Sequence, residues 1–511
     1  MSGNGNVTLT IDGTEVTVPK GTNLIEAARR LGTHVPHYCY HPALSVVGNC
    51  RICLVEVEGM PKLQIACNTE ARDGMVMRTR NERVEKGREG VMEFLLINHP
   101  LDCTICDQAG ECKLQDYAFH HGAGVSRFED EKVHKPKNVS WGDRVVFDSE
   151  RCILCTLCVR FLDEVAGTDE VSIDARGDQV TLIVKADGKL TSPYQMNIID
   201  LCPVGALTSR DFRFKSRLWF MQFADTICTS CARGCNTTVG VRDERVLRMV
   251  PRHNADVNGD WMCDHGRLHF AIANDDERLS VPRVDGRGVP YAVAAQRAAD
   301  LLREAGDSAA AVASPFMTNE ELHVLKLICD AAGIEKRLFL NPVGPGDELL
   351  VHSEKSPNAR GAALLGFEAV DQDCEGVQEI DVLLYVTPRE GIALPETVEA
   401  RAKRRIVFAF HEREADVLFP LTTWIEKDGT VVSAGDRVQR LVKGFSRFGS
   451  LLTERAALEM VLQALEAGFE PAATPAQAFE RVAAALAPFE GLTFTGVGAH
   501  GAPLGRQEVP A

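Results

Sequence analysis

No apolar run in the 511-residue chain approaches the length of a bilayer crossing. The opening residues, Met1-Ser-Gly-Asn-Gly-Asn6, supply neither an apolar signal core nor the Arg-rich character of a transit peptide. Together these absences predict a chain that stays in the compartment where it is made and meets a membrane only through other proteins. Basic residues are the minority charge, 56 Lys and Arg against 72 Asp and Glu, for a formal net charge of −16. Neutralising phosphates needs a concentrated basic face, so this balance argues against nucleic acid as a partner.

Cysteine, by contrast, is abundant: there are 17, in a chain without an export signal. Structural disulfides belong to oxidising compartments, so metal ligation in a reducing one is the better expectation. Fifteen of the seventeen fall into four groups. The central group is Cys152-Ile-Leu-Cys155-Thr-Leu-Cys158 with the remote Cys202-Pro203. Three thiols at C-x2-C-x2-C spacing wrap one corner of a cubane, and the Cys-Pro supplies the fourth ligand, so a [4Fe-4S] site is expected with zinc as its rival.

Upstream, Val7 to Pro19 alternates as a hairpin around Asp12-Gly13, and Thr22 to Gly32 reads as a helix carrying Leu24, Ile25, Ala28 and Leu31. Cys39, Cys50, Cys53, the strand Leu54 to Val57 and Cys67 follow. This is the element order of a plant-type [2Fe-2S] ferredoxin, except that the first interval is C-x10-C rather than C-x4-C. Zinc is again the rival, and the ferredoxin-like framework argues against it.

Cys39-Tyr-His-Pro42, Gly48-Asn-Cys50-Arg-Ile-Cys53-Leu-Val-Glu56 and Asn98-His-Pro-Leu-Asp-Cys103 resemble the large iron-sulfur subunit, of the bacterial G type, of respiratory NADH:quinone oxidoreductase, complex I. The resemblance runs to about residue 283 and implies an electron-transfer subunit. Electrons would come from an FMN/NADH-binding subunit and leave toward quinone, with a thioredoxin-like [2Fe-2S] subunit and quinone-side peripheral-arm subunits as further partners. It also implies the cytoplasmic side of the bacterial inner membrane, in the peripheral arm. The expected cofactors are one [2Fe-2S] and three [4Fe-4S] clusters.

Within the second group, Val84, Val91, Phe94, Leu95 and Ile97 lie at helix-like spacing between Glu82 and Asn98, which places His99 at the helix end. Three local thiols, Cys103, Cys106 and Cys112, leave a cube one ligand short, and neutral imidazole is an acceptable fourth. The resemblance implies the same histidine-ligated [4Fe-4S] centre with His99 as ligand. His120, His121 and His134 read as surface or supporting residues. The fourth group, Cys228, Cys231, Cys235 and Cys263, has the C-x2-C-x3-C-x27-C pattern that opens molybdopterin oxidoreductases, with zinc as rival.

The expected fold is α+β for the first half and α/β for the second. The first half comprises a [2Fe-2S] ferredoxin-like β-grasp domain at 1–82, a histidine-ligated [4Fe-4S] domain at 83–140 and a [4Fe-4S] ferredoxin-like domain at 141–223, the last with a β-rich insertion at 171–185. A [4Fe-4S] molybdopterin-oxidoreductase module is expected at 224–283, a shortened molybdopterin-oxidoreductase-like α/β domain at 284–489 and a flexible tail at 490–511. In the α/β part a helix at Tyr291 to Glu304, strands at Ala309 to Ala313, Asp381 to Val386 and Ile406 to Phe410, a Thr318/Glu321 capping box and a basic helix from Pro395 to Lys403 are expected.

Phe419-Pro-Leu-Thr-Thr-Trp-Ile-Glu426-Lys-Asp-Gly429 resembles the segment that marks this domain, though the following loop departs from the family's version. His265 stands where molybdenum enzymes place Lys, Cys329 reads as a buried inert thiol and Cys374 as a blunted one, so no molybdopterin and no catalytic residue are expected. Gly496-Val-Gly498-Ala-His-Gly501 spells a dinucleotide fingerprint after a candidate strand at Leu492 to Thr495. Without a following helix it has no pyrophosphate site, so NADH and FMN are expected on a partner. The competing functions are the diaphorase-side subunit of a soluble NAD-linked hydrogenase or formate dehydrogenase and, less favoured, an enzyme with its own molybdenum site.

Overall fold

The amino-terminal hairpin forms as its alternation demands. The computed structural model describes residues 5–185, 187–370, 380–387 and 401–505. In it β1 (Asn6–Ile11) pairs antiparallel with β2 (Thr14–Pro19), turning through Asp12 and Gly13 at φ 47° and 85°. Leu9, Ile11 and Val18 face the core. Helix α1 (Leu24–Arg30) starts on Asn23, one residue later than read, because the Asn23 side chain accepts the Glu26 amide and caps it. With β3 (Leu54–Val57), β4 (Gln64–Ile65) and β5 (Val76–Arg78) a five-stranded mixed sheet of order β2-β1-β5-β3-β4 is complete. Its core takes in Tyr40, Cys53 and Cys67, which pins the cysteine loop at both ends.

Helix α2 (Glu82–Leu96) buries Val84, Arg88 and Met92, one residue per turn, and Arg88 Nη2 donates to the Leu54 carbonyl at 2.9 Å. Phe94, one of the five apolar residues at helix-like spacing, is 79% exposed. It lies two residues past Met92, about 200° around the helix, so it points away from the stripe that docks. Helix α3 (Lys113–His121) follows Cys112 directly. Next come β6 (Val139–Ser140), β7 (Val145–Phe147), α4 (Leu157–Arg160), the two-stranded insertion β8 (Val171–Asp174) and β9 (Thr181–Val184), α5 (Asn197–Leu201) and β10 (Leu207–Ser209). Strands β10, β7 and β6 make one small sheet. These elements form one unit, residues 1–220.

The second unit is 221–511, so its boundary falls slightly before the expected 223/224. It opens with the antiparallel sheet β11 (Gln222–Ile227), β12 (Asn236–Arg242) and β13 (Arg245–Pro251), followed by α6 (Asp264–Leu268). The segment read as a separate module at 224–283 shares one core with the later part: Ile227, Cys228, Val239 and Met249 pack with Trp424, Ile425, Val431 and Leu441.

Downstream, an eight-stranded mixed sheet is built from β14 (Arg283–Val284), β15 (Arg287–Gly288), β16 (Ala309–Ala313), β17 (Lys336–Leu340), β18 (Glu368–Val370), β19 (Ile380–Val386), β20 (Ala402–Ala409) and β21 (Val417–Pro420), in the order β15-β14-β21-β20-β19-β16-β17-β18. The strands from β21 to β18 run parallel. Helices Tyr291–Ala305, Asn319–Ala332 and Glu454–Leu465 pack against it, the second with the expected capping box and a Gly333 terminus at φ 71°.

Two expectations need correction. Lys403 belongs to strand β20, not to the end of a helix, because pairing with β19 continues back to Ile380↔Ala402. Its basic residues are balanced in place, Lys403 by Asp381 and Arg404 by Glu304. The rest of that expected helix up to residue 400, and Cys374, lie outside the described residues. The second correction is the tail. Residues 490–505 fold back on β22 (Gly429–Ser433) and β23 (Arg437–Leu441), with β24 (Ala502–Pro503) paired to β23 and Phe494, Val497 and Leu504 buried beside Val438 and Phe479. The glycines permit this closeness: a Cβ on Gly501, at φ 78°, would stand 2.7 Å from the Val438 carbonyl. Residues 492–495 form no strand.

The segment from Phe419 to Gly429 is held by buried charge. Lys427 Nζ lies 2.9 Å from Glu321 and 3.3 Å from Glu454, and Arg278 Nη2 lies 2.7 Å from Glu426. Removing one member of such a group leaves uncompensated buried charge, so Lys427→Met should destabilise this unit by about 3–5 kcal/mol. Denaturant titration of the full chain checks it, and a loss under about 1 kcal/mol would show that the pairing is dispensable.

Candidate functional site

The first cysteine group is gathered by the β1–β5 sheet. Cys39, Cys50, Cys53 and Cys67 are all buried. Arg51, at φ 61°, turns the chain between Cys50 and Cys53. The sulfurs fall into two pairs. Cys39 Sγ and Cys50 Sγ are 3.3 Å apart, and the hydrogen bond they share lowers the Cys39 thiol to about 6 while Cys50 is pushed up. Cys67 lowers Cys53 in the same way and is itself pushed up. Two pairs of sulfurs suit a group that needs two thiolates on each of two irons.

Cys152, Cys155, Cys158 and Cys202 line one cavity, walled by apolar residues that include Phe147, Leu157, Leu182 and Val204. Leu154 and Thr156, at φ 54° and 60°, bend the loop on either side of Cys155, and the Leu154 amide donates to Cys152 Sγ at 3.4 Å. Cys202 caps the carboxyl end of α5, where Pro203 stops the helix. Burial pushes Cys152 up to about 12, and Cys155, Cys158 and Cys202 are raised as well. Such sulfurs are thiols when bare, and a metal centre entering the cavity must displace their protons.

His99 follows α2 closely, where Lys132 Nζ donates to the Leu96 and Ile97 carbonyls at 2.9 and 2.7 Å and so caps the helix end. Burial first, then Arg151 and Lys132, lower the His99 pKa to about 4. Its imidazole is therefore neutral at pH 7, the form that can bind metal. Cys106 and Cys112 are buried and raised by that burial, whereas Cys103 is exposed. Arg217 clamps the loop by donating to the Thr104 carbonyl at 2.6 Å and to the Cys106 carbonyl. His120 is exposed, while His121 and His134 pair with Glu85 and Glu150 at 2.8 and 3.0 Å.

Cys228 follows β11 and Cys235 precedes β12, joined by a 2.8 Å bond from the Cys228 amide to the Cys235 carbonyl. Cys263 caps α6 through its sulfur, which accepts the Gly266 amide at 3.3 Å. A Cβ on Gly266 would stand 2.9 Å from Cys228 Sγ and 3.3 Å from Cys263 Sγ, so only glycine leaves the space between these sulfurs clear. Burial, then the charges of Cys228, Cys231 and Cys263, raise the Cys235 thiol. Among the described residues no three His, Cys, Asp or Glu side chains close tightly enough for a single ion. Of the four groups, Cys152, Cys155, Cys158 and Cys202 line a common cavity. Cys329 is buried in its helix, its thiol pushed up to about 12 by burial, and His265 is exposed.

Contacts between these groups escaped the sequence reading. Asp102, beside Cys103, accepts from Arg151, beside Cys152, at 2.8 Å and from Lys137 at 2.9 Å. Gly205, in the turn after Cys202, packs so closely on Cys106 that a Cβ there would overlap Cys106 Sγ. On the other side of the same group, Arg160 and Asn49 tie the Cys152 loop to the Cys39 loop. After burial, neighbouring sulfurs add to the thiol shifts, with Cys39 among those acting on Cys155 and Cys106 among those acting on Cys202. Only the glycine after Cys-Pro carried a local signal; Arg160 carried none.

Comparison with known proteins adds families to this geometry. Residues 4–82 match the 2Fe-2S iron-sulfur cluster binding domain, 88–127 the NADH-ubiquinone oxidoreductase-G iron-sulfur binding region, 142–208 the ferredoxin-like domain of NADH-quinone oxidoreductase subunit 3 and 221–275 the molybdopterin oxidoreductase Fe4S4 domain. The G subunit of NADH-quinone oxidoreductase from Streptomyces coelicolor is 44% identical over 280 residues, 54% of this chain and 33% of that protein. The mitochondrial NADH-ubiquinone oxidoreductase 78 kDa subunit of Neurospora crassa is 36% identical over 401 residues, 76% of this chain and 52% of that protein. The chain therefore spans a third to a half of the length of these relatives. A crystal structure of an NAD+-reducing [NiFe]-hydrogenase is 30% identical, covering 42% of this chain and 91% of that one, with a TM-score of 0.38.

Proposed function

We propose that this chain, 44% identical over 280 residues to a G subunit of NADH-quinone oxidoreductase, is an electron-transfer subunit of a proton-translocating NADH:quinone oxidoreductase. One [2Fe-2S] cluster would be held by Cys39, Cys50, Cys53 and Cys67. Three [4Fe-4S] clusters would be held by His99, Cys103, Cys106 and Cys112, by Cys152, Cys155, Cys158 and Cys202, and by Cys228, Cys231, Cys235 and Cys263. When bound, these groups supply one-electron redox chemistry at potentials that burial and hydrogen bonds to sulfur adjust.

The observation that carries the reading is contact among the ligand sets of the first unit. The Cys152 group touches the Cys39 group through Arg160 and touches Cys106 through the Gly205 turn, and His37 and Tyr38, beside Cys39, pack on Tyr117 of the helix that follows Cys112, so the three ligand sets adjoin one another. The protein contributes a cavity with apolar walls, fixed sulfurs and, at His99, a neutral ligand in place of an anionic one. Electrons would enter from an FMN/NADH-binding partner and leave toward a quinone-side partner. Phe94, Leu101, Ile105, Phe119 and Val125 are all exposed on the segment that also carries exposed Cys103, as expected of a surface that another subunit covers. Among the described residues no helix is long and apolar enough to cross a membrane, and membrane association on the cytoplasmic side would come through partners. The carboxyl-terminal α/β part serves as scaffold in this reading, without molybdopterin.

Metal content tests this. Anaerobically purified full chain should carry about 14 irons and no molybdenum. Stoichiometric molybdenum would overturn the scaffold role, and about 10 irons or fewer would mean that at least one ligand set does not hold its cluster.

A further inference from the structure

We propose that Arg160 is a positioning residue that fixes the gap between the Cys39 and Cys152 ligand sets and places one positive charge between them. The proposal rests on the assignment of [2Fe-2S] and [4Fe-4S] clusters to these sets. A single guanidinium nitrogen, Nη2, donates to the carbonyl of Cys39 at 2.7 Å and to the carbonyl of Cys155 at 3.3 Å. Nη1 donates to the Ser45 carbonyl, and Nε reaches Thr156 Oγ1 at 3.3 Å. Thus one side chain is bonded to a ligand residue of each set and to the loop next to each.

The local backbone is shaped for this bridge. Arg160 ends α4, and the chain continues into a widened π-type turn, Phe161–Val165. From that turn Glu164 accepts the Ser45 amide at 2.8 Å and the Ser45 hydroxyl, so the Cys39 loop is gripped from two sides. Insertions of this kind in a helix commonly mark functional positions. Asn49 Nδ2 adds a bond to the Leu154 carbonyl at 2.9 Å.

Two physical consequences follow. A planar guanidinium bonded through three nitrogens holds the Cys39, Ser45 and Cys155 carbonyls and Thr156 Oγ1 in one fixed arrangement, which a flexible ammonium does not, so Arg160→Lys keeps the charge and loses the spacing. A positive charge beside both sets favours their reduced, more negative forms, so Arg160→Gln lowers both potentials. A brace needed only for folding would separate neither effect.

The test uses the full chain, reconstituted with iron and sulfide and reduced stepwise under EPR. In the wild type the [2Fe-2S] signal should relax faster once the neighbouring cube is reduced, since magnetic coupling reports their separation. Arg160→Lys should weaken that coupling by at least severalfold with both midpoint potentials held. Arg160→Gln should also shift both potentials negative. Wild-type coupling and potentials in both variants would overturn the proposal, as would loss of a cluster from both, which would make Arg160 a folding brace. If the wild type itself lacks either signal, the cluster assignment fails instead, and the two failures stay distinct.

Discussion

Cys155→Ala is expected to abolish NADH-dependent quinone reduction per assembled complex, while Cys231→Ala is expected to leave it near normal and to lower the yield of complex. Cys155 faces the cavity of the Cys152 ligand set, which contacts both other sets of the first unit. Losing it removes a proposed ligand of the cluster expected to relay between the other two. Cys231 belongs to a set that lies in the other unit and shares its core with the α/β part. There Cys228 and Cys263 close a long loop round a glycine cradle, and metal binding that closes such a loop contributes to folding, on the order of 10 kcal/mol for structural sites. Turnover measured against flavin content, which counts intact input modules, separates the outcomes. A Cys231→Ala complex that assembles fully yet does not turn over would place the fourth cluster on the main path.

Gly205→Ala should empty the His99 set without substituting any of its proposed ligands. The backbone at Gly205 is not in the left-handed region, so alanine meets no conformational penalty there. What it meets is Cys106 Sγ, and the Gln108 Cβ at 3.1 Å. The Cys106 side has little room to yield, because Arg217 holds its carbonyl and the Lys113 amide binds the Pro203 carbonyl at 3.0 Å. The expected result is a loss of about 4 irons per chain, with the signals of the [2Fe-2S] cluster and of the cluster proposed for the Cys152 set retained and quinone reduction abolished. Full iron content with an unchanged spectrum in Gly205→Ala would mean that the Cys202 turn can move away from Cys106, and that the two sets are not locked together.

The proposed ligands were legible because metal chemistry is written locally. C-x2-C-x2-C and C-x2-C-x3-C place sulfurs on one turn whatever the rest of the fold does, and Cys-Pro marks the end of a helix. The hairpin, the Thr318 cap and the alternation of the second half were legible for the same reason, since each depends on neighbours a few residues apart. The spacing of Phe94 with its neighbours gave the helix its period without saying which stripe docks; the stripe of Val84, Arg88 and Met92 does. Residues 490–505 were misread because glycine signals freedom in isolation, and only the approach of Val438 turns Gly501 into a packing residue. Strand β20 began early because its charges found Asp381 and Glu304, partners that composition could not supply.

The sequence by itself determined which residues are candidates to bind iron, since ligand spacing along a loop is a covalent matter. Only the tertiary structure decided which ligand sets are neighbours. Arg160 meets Cys39 across 121 positions and the Gly205 turn meets Cys106 across about a hundred, and such contacts arise from the packing of whole elements, which no local pattern encodes.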